Sequence, residues 1–331
     1  TDHSVTRSGE LVETNFTVRT TAKTFAILSS GLYSDKIAAP IRELCCNAYD
    51  AHVAAGNTDT PFEVTLPSSL APTFSVRDYG TGMSDEDVRN LYTTYFDSTK
   101  TSSDDMIGAL GLGSKSPFAY TSSFSIESRY NGQKRMYAAF INENGVPALA
   151  ALMDAVDTDE PNGMTISFPV KTADISKFAE RAKRILMYFP VPPLVSGYYG
   201  FSPYALSHTV EGSNWKIRTT QYDAHMTGAY VIQGCVAYPL DVSILDGLSE
   251  VALAVAGTSL DMFVPIGDVE VAPSREALSY DPITCANLIK HLENAAVEMR
   301  DSIQETIDKC DTMWAARRTI NKMFNDDKMS A

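Results

Sequence analysis

Cysteine and basic residues are the scarce constituents of this 331-residue chain, and each shortage excludes something. The five cysteines (Cys45, Cys46, Cys235, Cys285, Cys310) are odd in number and hold no C-x-x-C pair, so neither a disulfide framework nor a zinc site is signalled. Lys plus Arg total 27 against 41 Asp plus Glu, a net charge of −14. That balance opposes non-specific attraction to nucleic-acid phosphates and anionic lipid, so neither is expected as the main partner. No run of 18 apolar residues exists, and Thr1 to Thr14 is polar rather than built like a secretory leader, so no transmembrane segment is expected. A reducing cytoplasm is the expected compartment, with any membrane association peripheral and carried by partners. What remains is ordinary globular composition: 44% hydrophobic and 21% charged residues are far from the disordered corner, and the length fits roughly two domains.

There is no internal repeat, so periodicity and punctuation carry the reading. Ile37, Ile41, Leu44, Ala48 and Ala51 recur at three- and four-residue spacing and predict a helix over 34–55, with Pro40 near its start. β-rich runs at 62–66, 74–78, 124–130, 135–141 and 165–170, with helical pieces between them, predict an α/β sandwich with one layer of each. From 94 to 117 the chain turns to Ser, Thr, Asp and Gly, too long for an ordinary connection, and reads as a lid. A helix over 175–188 stops before Pro190, and P-V-P-P at 190–193 is the expected linker. The expected domains are therefore 1–190, a second α/β unit at 194–282 with strands at 230–236 and 262–266, and a helical arm at 283–331 whose amphipathic pattern runs from 284 to 324.

Four segments carry chemistry. In I-R-E-L-C-C-N-A-Y-D-A-H, residues 41–52, Glu43, Asn47 and Asp50 fall at offsets of zero, four and seven and share a helix face. A carboxylate beside an amide can orient a water and ligate a hard cation, and the same pattern is also what a solvated polar stripe looks like. D-Y-G-T-G-M, residues 78–83, follows a strand; its glycines admit a flat ligand and Asp78 offers an acceptor to an exocyclic amine, or the segment is a tight turn. I-G-A-L-G-L-G-S-K-S, residues 107–116, can cradle phosphates with backbone N–H groups, Ser114 and Lys115, yet it fits neither the P-loop nor the dinucleotide spacing. V-A-P-S-R-E-A-L-S-Y, residues 271–280, reads locally as a helix N-terminus capped by Ser274.

In this order and with these gaps the segments resemble the boxes of the GHKL ATPases: gyrase B subunit, MutL, the ninety-kilodalton heat-shock chaperones and histidine kinases. The resemblance implies a two-layer Bergerat ATP-binding sandwich, a second transducer-like α/β domain and a C-terminal helical arm. It implies Glu43 as general base, Asn47 as the magnesium ligand, Asp78 as adenine reader, and Gly82 and Met83 as adenine pocket. Asp50, Ala51 and Gly80 would border the nucleotide, while Gly108, Gly111, Leu112, Gly113 and Ser114 would bind phosphate and Lys115 would assist catalysis. The S-R-E segment of the chaperones supplies an arginine from the second domain to the γ-phosphate, which implies that role for Arg275. The family closes its base pocket with Gly-Thr at the start of a late strand. Here Gly163 is followed by Met164 and then Thr165, which the resemblance makes a candidate at the base although strand alternation would turn it to the opposite face.

Within the superfamily, L-G-L-G-S-K-S-P-F-A-Y-T at 110–121 together with A-P-S-R-E-A-L-S at 272–279 looks like the rIIA-type lysis-control and prophage-exclusion proteins of tailed bacteriophages. That resemblance implies a viral protein in the host cytoplasm with a phage or host protein partner. The implied ligands are ATP, ADP and magnesium, and the superfamily's ATP-dependent dimerisation could use residues 1–19. The alternative is a nucleotide-binding switch or scaffold with little turnover. A histidine kinase fits poorly because His3, His52, His208, His225 and His291 are scattered, with no phospho-acceptor helix. Tyr92, Tyr95 and Phe96, beside the lid, are expected to pack rather than to cover a ligand.

Overall fold

A computed structural model describes residues 21–29, 31–94, 112–202, 207–218 and 228–324. Two short segments, α1 (Ala22–Ser29) and a turn, precede the central helix α2 (Ala38–Ala54). The carboxylate of Asp35 organises the start of α2, accepting from the backbone N–H groups of Ile37 at 3.1 Å and Ala38 at 2.9 Å. Pro40 lies in the first turn, where the missing N–H has no intrahelical acceptor to lose. Of the apolar stripe read from the sequence, Ile41, Leu44 and Ala48 are in the core and Ile37 and Ala51 are half-buried, while the polar side chains of Arg42, Glu43 and Asp50 are buried beside them.

The strands that follow are β1 (Glu63–Thr65), β2 (Thr73–Arg77), then helix α3 (Asp85–Thr93), a 3-10 segment at Gly113–Ala119, β3 (Ser123–Tyr130), β4 (Gln133–Ile141), β5 (Pro147–Ala151), β6 (Val156–Asp157) and β7 (Gly163–Pro169). Helix α4 (Ile175–Ile185) and β8 (Leu194–Ser196) complete the first layer pair. The sheet runs β5-β4-β3-β7-β2-β1-β8, with β6 beside β4, and only the β1–β8 pairing is parallel. Alternation decides its faces: Phe74, Val76, Phe124, Ile126, Ile166 and Phe168 turn inward under α2 and α4. Arg77, Glu127, Arg129, Lys134 and Glu160 form a charged ladder on the opposite face. The two-layer sandwich expected from the sequence is present. Its sheet, however, extends past the Pro-rich stretch to Ser196, because β8 finds its hydrogen-bonding partner in β1.

The second sheet comprises β9 (His208–Glu211), β10 (Trp215–Arg218), β11 (Tyr230–Gln233), β12 (Val236–Pro239) and, after helix α5 (Glu250–Ala256), β13 (Leu260–Val264), in the order β12-β11-β13-β10-β9. The single strand expected at 230–236 is in fact a hairpin: Gln233 pairs with Val236 around Gly234, whose φ of +63° makes the reversal. Helix α6 (Pro282–Asp308) covers this sheet through Leu288, Leu292, Ala295 and Met299. It starts at Asp281, which caps Ile283 and Thr284, and not at Ser274. The arm is two helices rather than one continuous pattern, since α7 (Met313–Phe324) restarts after a break at which Thr312 Oγ1 accepts from Ala315 N at 3.1 Å. Buried residues of both sheets form one continuous apolar core. Among the described residues no helix is long and apolar enough to cross a membrane.

Candidate nucleotide site

One end of the candidate site is built on the turn after β2. Asp78 emerges at the strand end with its backbone N–H on Met164 O at 3.0 Å, so β7 fixes where the turn begins. Its Oδ1 accepts from Gly80 N at 2.9 Å and Met164 N at 3.2 Å, which holds the carboxylate in one orientation. Gly163 and Gly82 make the enclosure possible. A Cβ on Gly163 (φ +141°) would stand 2.1 Å from Asp78 O, and one on Gly82 (φ +70°) 2.0 Å from Arg129 O. No L-residue with a side chain fits at either place. Gly80 lies against Ala51 of α2, where a Cβ would meet the alanine methyl at 2.8 Å. Met83 is braced by Ser128, whose Oγ donates to Met83 O at 2.6 Å and accepts from Met83 N at 3.1 Å. His52, one turn beyond Ala48 on α2, accepts from Tyr79 N through Nε2 at 2.7 Å and shares Nδ1 with Thr60 O at 2.9 Å. These two bonds assign the neutral tautomer with the proton on Nδ1, and burial lowers the imidazole pKa in keeping.

At the other end, the Gly-rich loop returns to α2. Leu112 and Gly113 open the 3-10 segment with Lys115 N on Leu112 O at 3.0 Å. A Cβ on Gly113 would be 2.7 Å from Glu43 Oε2 and 3.5 Å from Asn47 Nδ2, so the loop backbone passes directly over both side chains. Ser114, Lys115 and Ser116 are buried beneath it, and the hydroxyls of Ser114 and Ser116 have no hydrogen-bond partner among the described residues. Unpaired hydroxyls at a glycine-rich loop over a carboxylate and an amide are a donor set awaiting an acceptor. Gly108, Gly111, Tyr95, Phe96 and residues 1–19 lie outside the described residues. Tyr92 packs on Phe124, with ring centroids 6.1 Å apart.

The second α/β unit contributes to the same end. Arg275 Nη1 donates to Glu43 Oε2 at 2.9 Å, and both side chains are buried. Burial opposes the charge on Arg275, and the Glu43 carboxylate, Cys46 and Tyr238 together raise the guanidinium pKa despite that burial. The local reading of 271–280 as a helix start is overturned. Val271 and Leu278 form an isolated bridge, Ala272 N bonds Ala277 O, and Arg275 adopts a left-handed φ of +54° at the tip of this tight loop. Such a backbone costs on the order of 1 kcal/mol for a non-glycine residue and persists only when its surroundings enforce it. Here three successive residues supply the enforcement. Ser274 O accepts from Arg42 Nη2 at 2.9 Å, Arg275 holds Glu43, and the Glu276 carboxylate accepts from Ser34 N and Asp35 N at 2.9 and 3.0 Å.

The candidates therefore sort cleanly. Glu43, Asn47, Leu112, Gly113, Ser114, Lys115 and Arg275 gather at one end; Ala51, Asp78, Gly80, Gly82 and Met83 gather at the other, with Asp50 buried on the connecting helix. Thr165 belongs to neither end: its hydroxyl accepts from Arg129 Nη1 at 3.0 Å on the charged face of the sheet, as strand alternation requires. Helical-face reasoning missed Arg42, Ser128, His52 and Glu276. Arg42 was visible as the neighbour of Glu43 in I-R-E-L, but the other three act through backbone groups distant in sequence.

Comparison with known proteins bears on the same residues. Residues 36–152 match the family described as histidine kinase-, DNA gyrase B- and HSP90-like ATPase. Among solved structures, the ATPase region of Saccharomyces cerevisiae topoisomerase II is similar in fold, with a TM-score of 0.50 at 12% identity over 79% of this chain and 85% of that one. The covered share exceeds the 36–152 segment, so the likeness of fold runs into the second sheet. No curated protein matches the sequence.

Proposed function

We propose that the chain is a magnesium-dependent ATPase whose hydrolysis couples the nucleotide site to the second α/β unit. The observation that carries this reading is the convergence on α2: Glu43 and Asn47 lie beneath the Gly113 backbone, the next segment carries two hydroxyls with no partner among the described residues, and Arg275 reaches Glu43 from the second unit. The residues fit a nucleotide-borne metal. Among the described residues no three His, Cys, Asp or Glu side chains form a metal cage. A single amide, Asn47, with phosphate oxygens and waters for the remaining positions, is the donor set magnesium accepts. When bound, the ion would neutralise charge on the phosphates.

In this reading Asp78 takes the exocyclic amine of the base, and the donors of 113–116 hold the phosphate chain. Glu43 receives the proton of the attacking water as its oxygen bonds to the γ-phosphorus and the bond to the β-bridging oxygen breaks. Arg275 must then exchange one anion for another, releasing the carboxylate for the γ-phosphate. Exchange of that kind would link ATP occupancy to the grip of 274–276 on α2.

The Glu43–Arg275 pair also favours a second reading, a nucleotide switch with little turnover, because a carboxylate held by a guanidinium is a poorer base. Phosphate release by wild type and Glu43→Gln separates the two, and equal rates would remove Glu43 from the chemistry. Titration with a non-hydrolysable ATP analogue tests what both share, and no binding at millimolar analogue would remove nucleotide altogether. The segments 110–121 and 272–279 support an rIIA-like role through a phage or host partner, with ATP-dependent pairing of two chains. Pull-down from infected cells with and without ATP tests it.

A further inference from the structure

Two buried thiols that take no part in this chemistry face each other across the junction between the two α/β units. Cys46 lies on α2 beside Asn47; Cys235 occupies the turn of the β11–β12 hairpin, where Gly234 reverses the chain. Their sulfurs are 3.7 Å apart, both residues are in the core, and both thiols are free. An S–S bond is about 2.05 Å long, so closure needs less than about 2 Å of combined sulfur movement, a modest adjustment of two side-chain torsions. Cys45 cannot compete, since adjacent helix residues point about 100° apart.

We propose that Cys46 and Cys235 are a reversible redox pair whose disulfide fastens α2 to the second sheet. A peroxide suffices as oxidant. One thiol sulfur attacks a peroxide oxygen, an S–O bond forms as the O–O bond breaks, and a sulfenic acid and one water result. The second thiol displaces the sulfenic hydroxyl as a second water, each sulfur having given up one electron and the peroxide having taken two. The position gives the bond its consequence. The 274–276 loop already ties the second unit to α2 by hydrogen bonds that can be exchanged, whereas a covalent tie cannot. Oxidation would thus hold Arg275 on Glu43, a consequence that rests on the ATPase reading, although the bond itself does not.

The test uses the full chain treated with hydrogen peroxide, denatured with its remaining thiols blocked, and digested without reductant. The expected result is a peptide pair joining Cys46 to Cys235, two hydrogens lighter than the reduced sum and restored by dithiothreitol. Cys46→Ala and Cys235→Ala should each abolish it and Cys45→Ala should keep it, with melting under reducing conditions showing that each variant folds. Absence of that pair from oxidised wild type, a reading that needs no variant, overturns the proposal, as does a pair joining Cys45 to Cys235 in its place. Phosphate release should fall in proportion to the oxidised fraction and recover on reduction; full turnover in the disulfide form would overturn the coupling. Mapping of the bond does not depend on nucleotide, so its failure and the failure of the ATPase reading are distinguishable.

Discussion

The two ends of the candidate site are built from different materials. Around Asp78 the partners are backbone groups of one sandwich that hold its Oδ1 in place, and Gly82 and Gly163 leave no room for a side chain. Around Glu43 the partners are side chains from two α/β units, and the hydroxyls of Ser114 and Ser116 have no partner among the described residues. A closed backbone pocket selects a ligand without moving; a side-chain cluster with unmet bonds has somewhere to go when an anion arrives. Under the ATPase reading, this contrast gives recognition to the first end and work to the second.

The largest effect should come from removing Glu43 entirely. Glu43→Ala leaves Arg275 buried beside no carboxylate, and breaking one partner of a buried pair costs roughly 3–5 kcal/mol. Glu43→Gln, which keeps an acceptor for Arg275, should recover much of that loss while leaving turnover abolished. Denaturant melts of the single variants and of Glu43→Ala/Arg275→Ala give the coupling; additive losses would mean the pair holds nothing together.

Paired glycine replacements sharpen the contrast next. Gly163→Ala drives a methyl into the Asp78 carbonyl at a backbone angle alanine avoids, and about 3 kcal/mol of stability should go with it. Gly113→Ala meets only the end of a carboxylate side chain, which can swing, so its cost should stay near 1 kcal/mol even as analogue affinity falls. Equal destabilisation by the two would erase the distinction between a rigid and an adaptable end.

A smaller loss, about 1–2 kcal/mol, is expected for Ser128→Ala, which strips both backbone partners from Met83. If analogue affinity survives the change intact, Met83 does not border the base.

Much of this architecture was legible because its signals are periodic. The stripe of α2 and the alternation of β2, β3, β4 and β7 are consequences of burying one face, and offsets of four and seven put Glu43, Asn47 and Asp50 together whatever the tertiary context. What escaped depends on contacts remote in sequence. Ser274 looked like a cap because Ser-x-Glu is locally helix-like; the left-handed Arg275 exists only because Arg42, Glu43 and two amides near Asp35 grip the loop from another unit. The hairpin hidden in 230–236 turns on one glycine, and β8 joins the first sheet because β1 has an open edge. Thr165 went the way alternation dictated, and Ser128 supports Met83 from a strand that periodicity alone could not connect with it.

Acid should act first on the recognition end, through His52. Its folded form is neutral, donating from Nδ1 to Thr60 O and accepting from Tyr79 N, and burial lowers its pKa below the ordinary value of about 6.5. Protonation would convert the acceptor that holds Tyr79 into a donor facing a donor. Because the unfolded imidazole protonates at a higher pH than the folded one, the stability His52 contributes is present above about pH 6.5 and is lost as pH falls through the folded pKa. His52→Leu should lose about 1 kcal/mol or more at neutral pH, since an apolar side chain serves neither bond. The gap in melting temperature between wild type and variant should then narrow steadily toward pH 5, as the wild type gives up what the variant has already lost. A gap that holds constant across that range would mean that the imidazole carries no titrating share of the turn, and the ordering of Asp78 would have to be credited to β7 alone.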